Sequence, residues 1–197
     1  MNPRFWFLPA LATAGMSFSA FASTEQPESE RTFYLGADWA AYNDVKLESG
    51  GVSISENSDF GDLGFNLVAG YEFNTHKVVK LGVEAEYRSF SEVNYEDVLK
   101  VEGSGFYINI KPKFIVQYDE ADVYVSLLAG VGNMDIDAKA EGVSASESEA
   151  SYQFGAELGF IINRNVDLHL GYRSAHVEVD NIDASVNTAY LGARYFF

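Results

Sequence analysis

Cysteine is absent from the chain, proline occurs four times in 197 residues, and thirteen basic residues face twenty-nine acidic ones. Without cysteine no disulfide staples the fold, and no cysteine follows the N-terminal apolar stretch to carry a lipoprotein anchor. A formal charge of −16 repels nucleic acid, which is excluded as a partner. After residue 22 there is no apolar run long enough for a spanning helix. What is present is an apolar fraction of 47%, aromatics at 15% and seventeen glycines. That combination leaves two classes, a soluble β-domain of the periplasm or an outer-membrane barrel.

Both ends point to the second class. Residues 1–22 read as a secretory signal: Arg4 gives the positive start, Phe5 to Phe21 the apolar stretch, and Ala20-Phe21-Ala22 the small-x-small cleavage pattern. Cleavage after Ala22 removes one base, taking the charge from −16 to −17. Residues 23–32 read as a short flexible lead and 33–197 as the folded domain. At the other end Phe197, Tyr195, Ala193, Leu191 and Ala189 share one face of a strand, and Phe196, Arg194, Gly192, Tyr190 and Thr188 the other. Lipid can take the first face when the last strand pairs with the first.

The same alternation recurs eight times, in runs of about ten residues, the length that crosses a bilayer at a tilt. The greasy lines begin at Phe33, Leu63, Val79, Phe106, Val123, Tyr152, Val166 and Ala189. In the first run Trp39 and Ala41 belong to that line and Tyr42 to the opposite one. The facing line carries charge in seven of the eight runs, so the greasy face is expected outward. Pro112 falls inside the fourth run, where a lost ladder bond predicts a local bulge. Short connections at 74–77, 119–122 and 163–165 carry turn residues, whereas the stretches at roughly 45–60, 89–103, 133–150 and 175–185 are long and rich in Ser, Glu or Asp. The expected fold is all-β: an eight-stranded antiparallel up-and-down transmembrane β-barrel. Its short turns and both termini are periplasmic and its four long loops extracellular.

The inner line carries six acids, Asp38, Glu72, Glu84, Glu86, Glu157 and Asp167, and six bases, Lys80, Arg88, Lys111, Lys113, Arg173 and Arg194. An eight-stranded barrel is only wide enough for its own side chains, so these charges are expected to meet and neutralise one another. His169 reads as a satisfied interior side chain and His76 as a solvated one in a turn. The excess acid lies in the long connections, which hold fifteen acids against Lys46, Lys100 and Lys139. Such a rim attracts cations and basic partners. Asp135-x-Asp137 lacks the glycine and distal Glu of a calcium loop, and no metal or cofactor is expected. Outward aromatics fall into two girdles, Phe33, Phe73, Phe114, Phe160, Tyr195 and Phe197 at the turn end and Trp39, Tyr87, Phe106, Tyr152 and Tyr172 at the loop end.

The ending Leu191-Gly-Ala-Arg-Tyr-Phe-Phe197, the strand motifs Val68-Ala-Gly-Tyr-Glu72 and Leu170-Gly-Tyr-Arg173, and the signal peptide together resemble the small OmpA/OmpX/Ail-like outer-membrane barrels. These are often grouped as an outer-membrane protein β-barrel domain family. The resemblance covers about 165 residues. It implies insertion by the barrel-assembly machinery, with Leu191, Tyr195 and Phe197 forming the assembly signal, and contact with outer-membrane lipid and lipopolysaccharide. Members include adhesins, serum-resistance proteins and structural anchors, so the implied role is non-enzymatic, at the cell surface, through the acidic loops and toward a basic or cationic partner. Two alternatives stay open. Ser174, His176 and Glu178 share an outward face and form the one triad-like cluster, as a lipid-A-modifying barrel enzyme would require, although the order differs from the deacylases' His-x-Ser-Asn. A charged lumen also admits a narrow ion-conducting channel.

Overall fold

The computed structural model describes residues 33–49, 52–58, 64–95, 99–119, 121–140, 143–179 and 182–197. The signal segment, its cleavage residues Ala20 and Ala22 and the lead at 23–32 lie outside them. The described chain is built of strands: β1 Phe33–Ser49, β2 Val52–Ser58, β3 Phe65–His76, β4 Val79–Tyr95, β5 Leu99–Val116, β6 Ala121–Ala140, β7 Val143–Ile162, β8 Val166–Val179 and β9 Ile182–Phe196. From β3 onward each pairs antiparallel with the next, β3 pairs with β1, and β9 pairs back onto β1 from Tyr34↔Phe196 to Glu48↔Asp183. β2 pairs with β1 only beyond Asn43, where β3 no longer reaches. Eight strands therefore close the wall, and β2 belongs to a hairpin that rises from it.

Closure satisfies every strand edge in the wall, the condition for β-structure in a medium that offers no hydrogen bonds. The seam is fastened at the turn end. Phe197 N donates to Phe33 O at 3.0 Å, and Phe196 N donates to Asn165 O at 2.8 Å. Asn165 Nδ2 returns a bond to Phe196 O at 2.8 Å. Asn165 is itself placed by a two-residue turn in which Asn163 and Arg164 have φ of 51° and 61° and Asn165 N donates to Ile162 O at 3.1 Å. Two consecutive positive φ values are the geometry that matches the twist of a tight hairpin.

Burial follows residue parity around the wall. Leu67, Tyr71, Ile110, Leu127, Phe154, Leu170 and Leu191 are exposed, whereas Asn66, Gly70, Asn109, Ser126, Gln153, Gly171 and Tyr190 are buried. The greasy face points outward, the inverse of a soluble barrel. Both aromatic girdles stand on that face, with Phe33 and Phe197 rings 5.8 Å apart across the seam and Trp39 70% exposed.

Three details differ from the sequence reading. The Ser-, Glu- and Asp-rich stretches read as loops are largely strand. The ladder of β6 and β7, for example, runs from Ala121↔Ile162 to Ala140↔Val143. Ladder bonds come from backbone groups, so a polar hairpin continues the sheet without an apolar face. The long connections are thus hairpin arms with short tips. Second, Pro112 makes no bulge. Its pairing with Leu81 is regular, and the β5–β6 register is the same at Ile110↔Ala129 and Lys113↔Ser126, with only the steps between them missing. The missing N–H breaks the ladder on one side without adding a residue. Third, β1 carries an unforeseen bulge between Ala40 and Tyr42. It reverses the parity, so Tyr42 is exposed on the outer face and Asn43 is buried.

Inward tyrosines lie opposite glycines: Tyr34↔Gly70, Tyr124↔Gly159 and Gly171↔Tyr190. A Cβ at Gly70 or Gly171 would overlap the facing ring, so the ring can lie flat against the wall only over glycine. We expect Gly171→Val to displace Tyr190 and lower stability by about 1–3 kcal/mol, read from the urea midpoint of the folded barrel in detergent. An unchanged midpoint would mean the ring has somewhere else to go.

Candidate functional site: an ionic lumen and an outward polar seam

The twelve inner charges come from β1, β3, β4, β5, β7, β8 and β9, and the structure joins all of them in one network. Glu72 holds Lys80 at 3.3 Å and Lys113 at 2.6 Å, and Lys113 reaches Asp167 at 3.7 Å. Arg194 lies between Asp167 at 3.9 Å, Glu84 at 3.4 Å, Glu157 at 2.8 Å and Asp38 at 4.0 Å. Lys111 bridges Glu84 at 3.4 Å and Glu157 at 2.8 Å. Arg173 grips Asp38 at 2.7 Å with one Nη and Glu86 with the other, and Arg88 stands 3.7 Å from Glu86. Lys80 is half-buried and the other eleven are buried. Alternation put these residue types on one face, and barrel closure then brought strands distant in sequence within ion-pair range.

Besides His169, already expected as an interior side chain, six neutral groups that the charge pattern did not single out complete the network. Tyr34 donates to Glu84 at 3.1 Å, Tyr190 to Glu157 at 2.7 Å and Tyr124 to Asp167 at 2.8 Å. Gln153 and Asn109 each donate to Glu86 at 2.7 Å, and Arg88 donates to Gln153 and Thr188 at 2.9 Å. His169 sits between Asp38 at 3.0 Å and Asp167 at 3.1 Å. All seven lie on the same inner parity, so that line read for donors as well as charges would have found them.

Apolar clusters cover the network at both ends. Tyr34, Ile115, Tyr124, Ile161 and Phe196 pack together at the turn end, and Lys113 lies 4.5 Å from the Tyr124 ring centre. At the arm end Tyr107, Met134, Ala175 and Val177 pack together, with Phe90, Ala184 and Val186 against them. The interior is therefore layered: apolar, ionic, apolar.

Ser174 and His176 do meet on the outer face, as their spacing requires, with Ser174 Oγ 2.8 Å from His176 Nε2. Their other partners were not foreseen. Ser174 donates to Asn187 Oδ1 at 2.6 Å, and Asn187 Nδ2 donates to Asp44 Oδ2 at 3.4 Å. Lys46 lies 3.4 Å from the same Asp44 oxygen. Asp44 reaches this face because of the β1 bulge, which parity counting across Ala40 could not anticipate. Bond polarity runs from His176 through Ser174 and Asn187 to Asp44. The carboxylate only accepts, so Asn187 must turn its amide nitrogen to it and its carbonyl to Ser174. The one serine proton is thereby committed to Asn187, and Ser174 accepts from His176. Activation of a serine nucleophile needs the reverse, a hydroxyl that donates to the imidazole. Ser174 is only 5% exposed, and Glu178 takes no part among the described residues. The His176 ring is instead stacked on Tyr152 and Phe154, 5.1 and 5.2 Å away.

Comparison with known proteins agrees with this geometry. The chain belongs to the outer membrane protein beta-barrel domain family, whose model matches residues 8–197. A comparison with curated protein sequences gives no match. Among solved structures, Neisserial surface protein A is similar with a TM-score of 0.53 and 15% identity, over 84% of this chain and 97% of that one. Ail, the attachment invasion locus protein of Yersinia pestis, is similar with a TM-score of 0.50 and 20% identity, over 85% and 99%. The N-terminal barrel domain of Pseudomonas aeruginosa OprF gives 0.50 and 11%, over 82% and 97%. At these identities the likeness is one of fold.

Arg173 is the cation nearest to two buried acids, so Arg173→Met should cost about 3–5 kcal/mol by leaving Asp38 and Glu86 with only their more distant cations, Arg194 and Arg88. Adding Asp38→Asn and Glu86→Gln should recover part of that loss in urea unfolding. A triple variant no more stable than the single one would contradict the pairing.

Proposed function

We propose that this protein is a non-enzymatic surface protein of the bacterial outer membrane. The barrel anchors four acidic hairpin arms outside the cell, while the turns and both ends of the barrel face the periplasm. The observation that carries this reading is the layered interior. An ionic middle closed by internal pairing and covered by apolar clusters at both ends offers substrate or ion no described path. The part of the molecule left to meet a partner is then the arms. Their fifteen acids against three bases favour a basic or cationic partner, in a role of adhesion or surface shielding. The outward apolar wall supports contact with outer-membrane lipid and lipopolysaccharide, and Leu191, Tyr195 and Phe197, all exposed on the last strand, suit an assembly signal read by the barrel-assembly machinery.

Removing residues 136–147 from the β6–β7 arm takes away Asp137, Glu141 and Glu147 and should weaken binding of cells to a polylysine-coated surface at low salt while leaving a folded, membrane-inserted barrel. Undiminished binding would count against the arms. Protease added to intact cells should clip the arms and spare the turns, which tests the orientation separately. In planar bilayers the protein should give no discrete conductance at high load. The mass of lipid A should be the same with and without expression, and Ser174→Ala should change nothing; a mass shift that this variant removes would restore the enzyme reading.

A further inference from the structure

Above the loop-end girdle the outer wall changes from apolar to polar within two residues on each strand of the seam. On β8 exposed Tyr172 gives way to Ser174, His176 and Glu178. On β9 Leu191 and Ala189 give way to Asn187, Ser185 and Asp183. A groove of about 390 Å³ opens at this level, and Lys46, Tyr152, His176, Glu178, Asp183 and Ser185 line it. Charge in the groove is ordered along the barrel axis. The register places His176, Ser185 and Lys46 in one row across β8, β9 and β1. Glu178 and Asp183 are paired in the next row outward, two residues or about 7 Å further along the strands. The nearer row offers hydrogen-bond donors and a cation, and the further row offers two carboxylates.

We propose that this groove binds a phosphoethanolamine headgroup, its phosphate on Lys46 and the Ser185 hydroxyl beside the His176 ring and its ammonium against Glu178 and Asp183. The order of the rows is the order of the headgroup itself. In an amphiphile the phosphate sits nearest the acyl chains and the ammonium stands further out, which matches donors beside the apolar wall and acids above them. Two methylenes link phosphate to ammonium, a span that fits the separation of the rows. The two facing carboxylates repel each other when empty, and a primary ammonium between them relieves this. The cationic row is held from beneath. Asp44 pairs with Lys46, and the chain through Asn187 and Ser174 fixes His176 by its Nε2–H, so the ring forms a wall of the groove beside Lys46 and Ser185. Stacking on Tyr152 and Phe154 keeps the imidazole upright at the groove wall. That framework supplies a positioning role for the Ser174–His176 contact that catalysis does not.

The site rests on the reading that this is a membrane-embedded barrel, but not on which way the barrel faces, which protease clipping of cells tests on its own. Lipid headgroup chemistry of this kind has two sources, phosphatidylethanolamine and lipid A decorated with phosphoethanolamine. The folded full-length barrel would be titrated in detergent with short-chain phosphatidylethanolamine, phosphatidylcholine and phosphatidylglycerol, following the ring nitrogens of His176 by NMR. His76, in the opposite turn, serves as the internal control. We expect a saturable shift at His176 alone with phosphatidylethanolamine. Binding should be at least about tenfold weaker for phosphatidylcholine, whose quaternary nitrogen cannot donate, and for phosphatidylglycerol, which has no ammonium. Lys46→Ala, and separately Glu178→Gln with Asp183→Asn, should each weaken binding at least about fivefold. All three residues lie on the outer face of the arm end, away from the lumen, so the urea midpoint should hold. Nanodiscs carrying lipid A with and without phosphoethanolamine, against phosphatidylethanolamine nanodiscs, then identify the source by lipid retained in native mass spectrometry. Equal response to all three phospholipids, a preference for phosphatidylglycerol, or affinity untouched by both sets of substitutions would overturn the proposal.

Discussion

The rest of the structure depends on one constraint: eight strands enclose a space that only side chains can fill. Once the greasy face turns to lipid, the polar face encloses a space that its own side chains fill, and such an ionic interior is tolerable only when every charge is paired at close range. Six acids and six bases meet that requirement, and tyrosines, amides and His169 satisfy the oxygens the cations leave. Removing one partner strands the other, which makes the interior intolerant of single changes and tolerant of compensated ones. The glycines opposite the tyrosines belong to the same constraint, since a ring has to lie against the wall where an arginine occupies the axis. Arg173 lies 4.0 Å from the Tyr190 ring centre in this way.

On the function proposed, a filled interior leaves the surface to meet a partner. The wall presents lipid with an apolar band that ends in aromatic rings, and the arms carry the excess negative charge beyond it. Between them, at the closing strands β8, β9 and β1, lies a polar seam whose hydrogen-bond direction leads away from nucleophilic catalysis. A serine beside a histidine defines chemistry only when the proton is free to move toward the ring. Here Asn187, oriented by Asp44, holds that proton. The same contact reads naturally as scaffolding for a groove at headgroup level.

Most of the architecture was legible in the order of residues. Alternation with a period of two is set by backbone geometry, so each run announced its two faces, and charge on one line decided which face was inside. The arms were not legible, because a Ser-, Glu- and Asp-rich stretch has no face to bury and only its partner strand shows that it pairs. Pro112 misled for a related reason. A missing donor is certain from sequence, yet whether the ladder bulges or merely skips a step depends on the neighbouring strand. The bulge at Ala40 to Tyr42 had no signal of its own, and it moved Asp44 to the outer wall.

By itself, then, the sequence determined the strand count, the inward and outward lines and the balance of the inner charges, because all three follow from local periodicity and composition. Tertiary structure alone decided which acid meets which base, which way the Ser174 proton points, and where a groove opens on the seam. Those are contacts between residues as far as 156 positions apart, as with Arg194 and Asp38. Closure of the sheet brings such residues together, and no spacing along the chain encodes the distance.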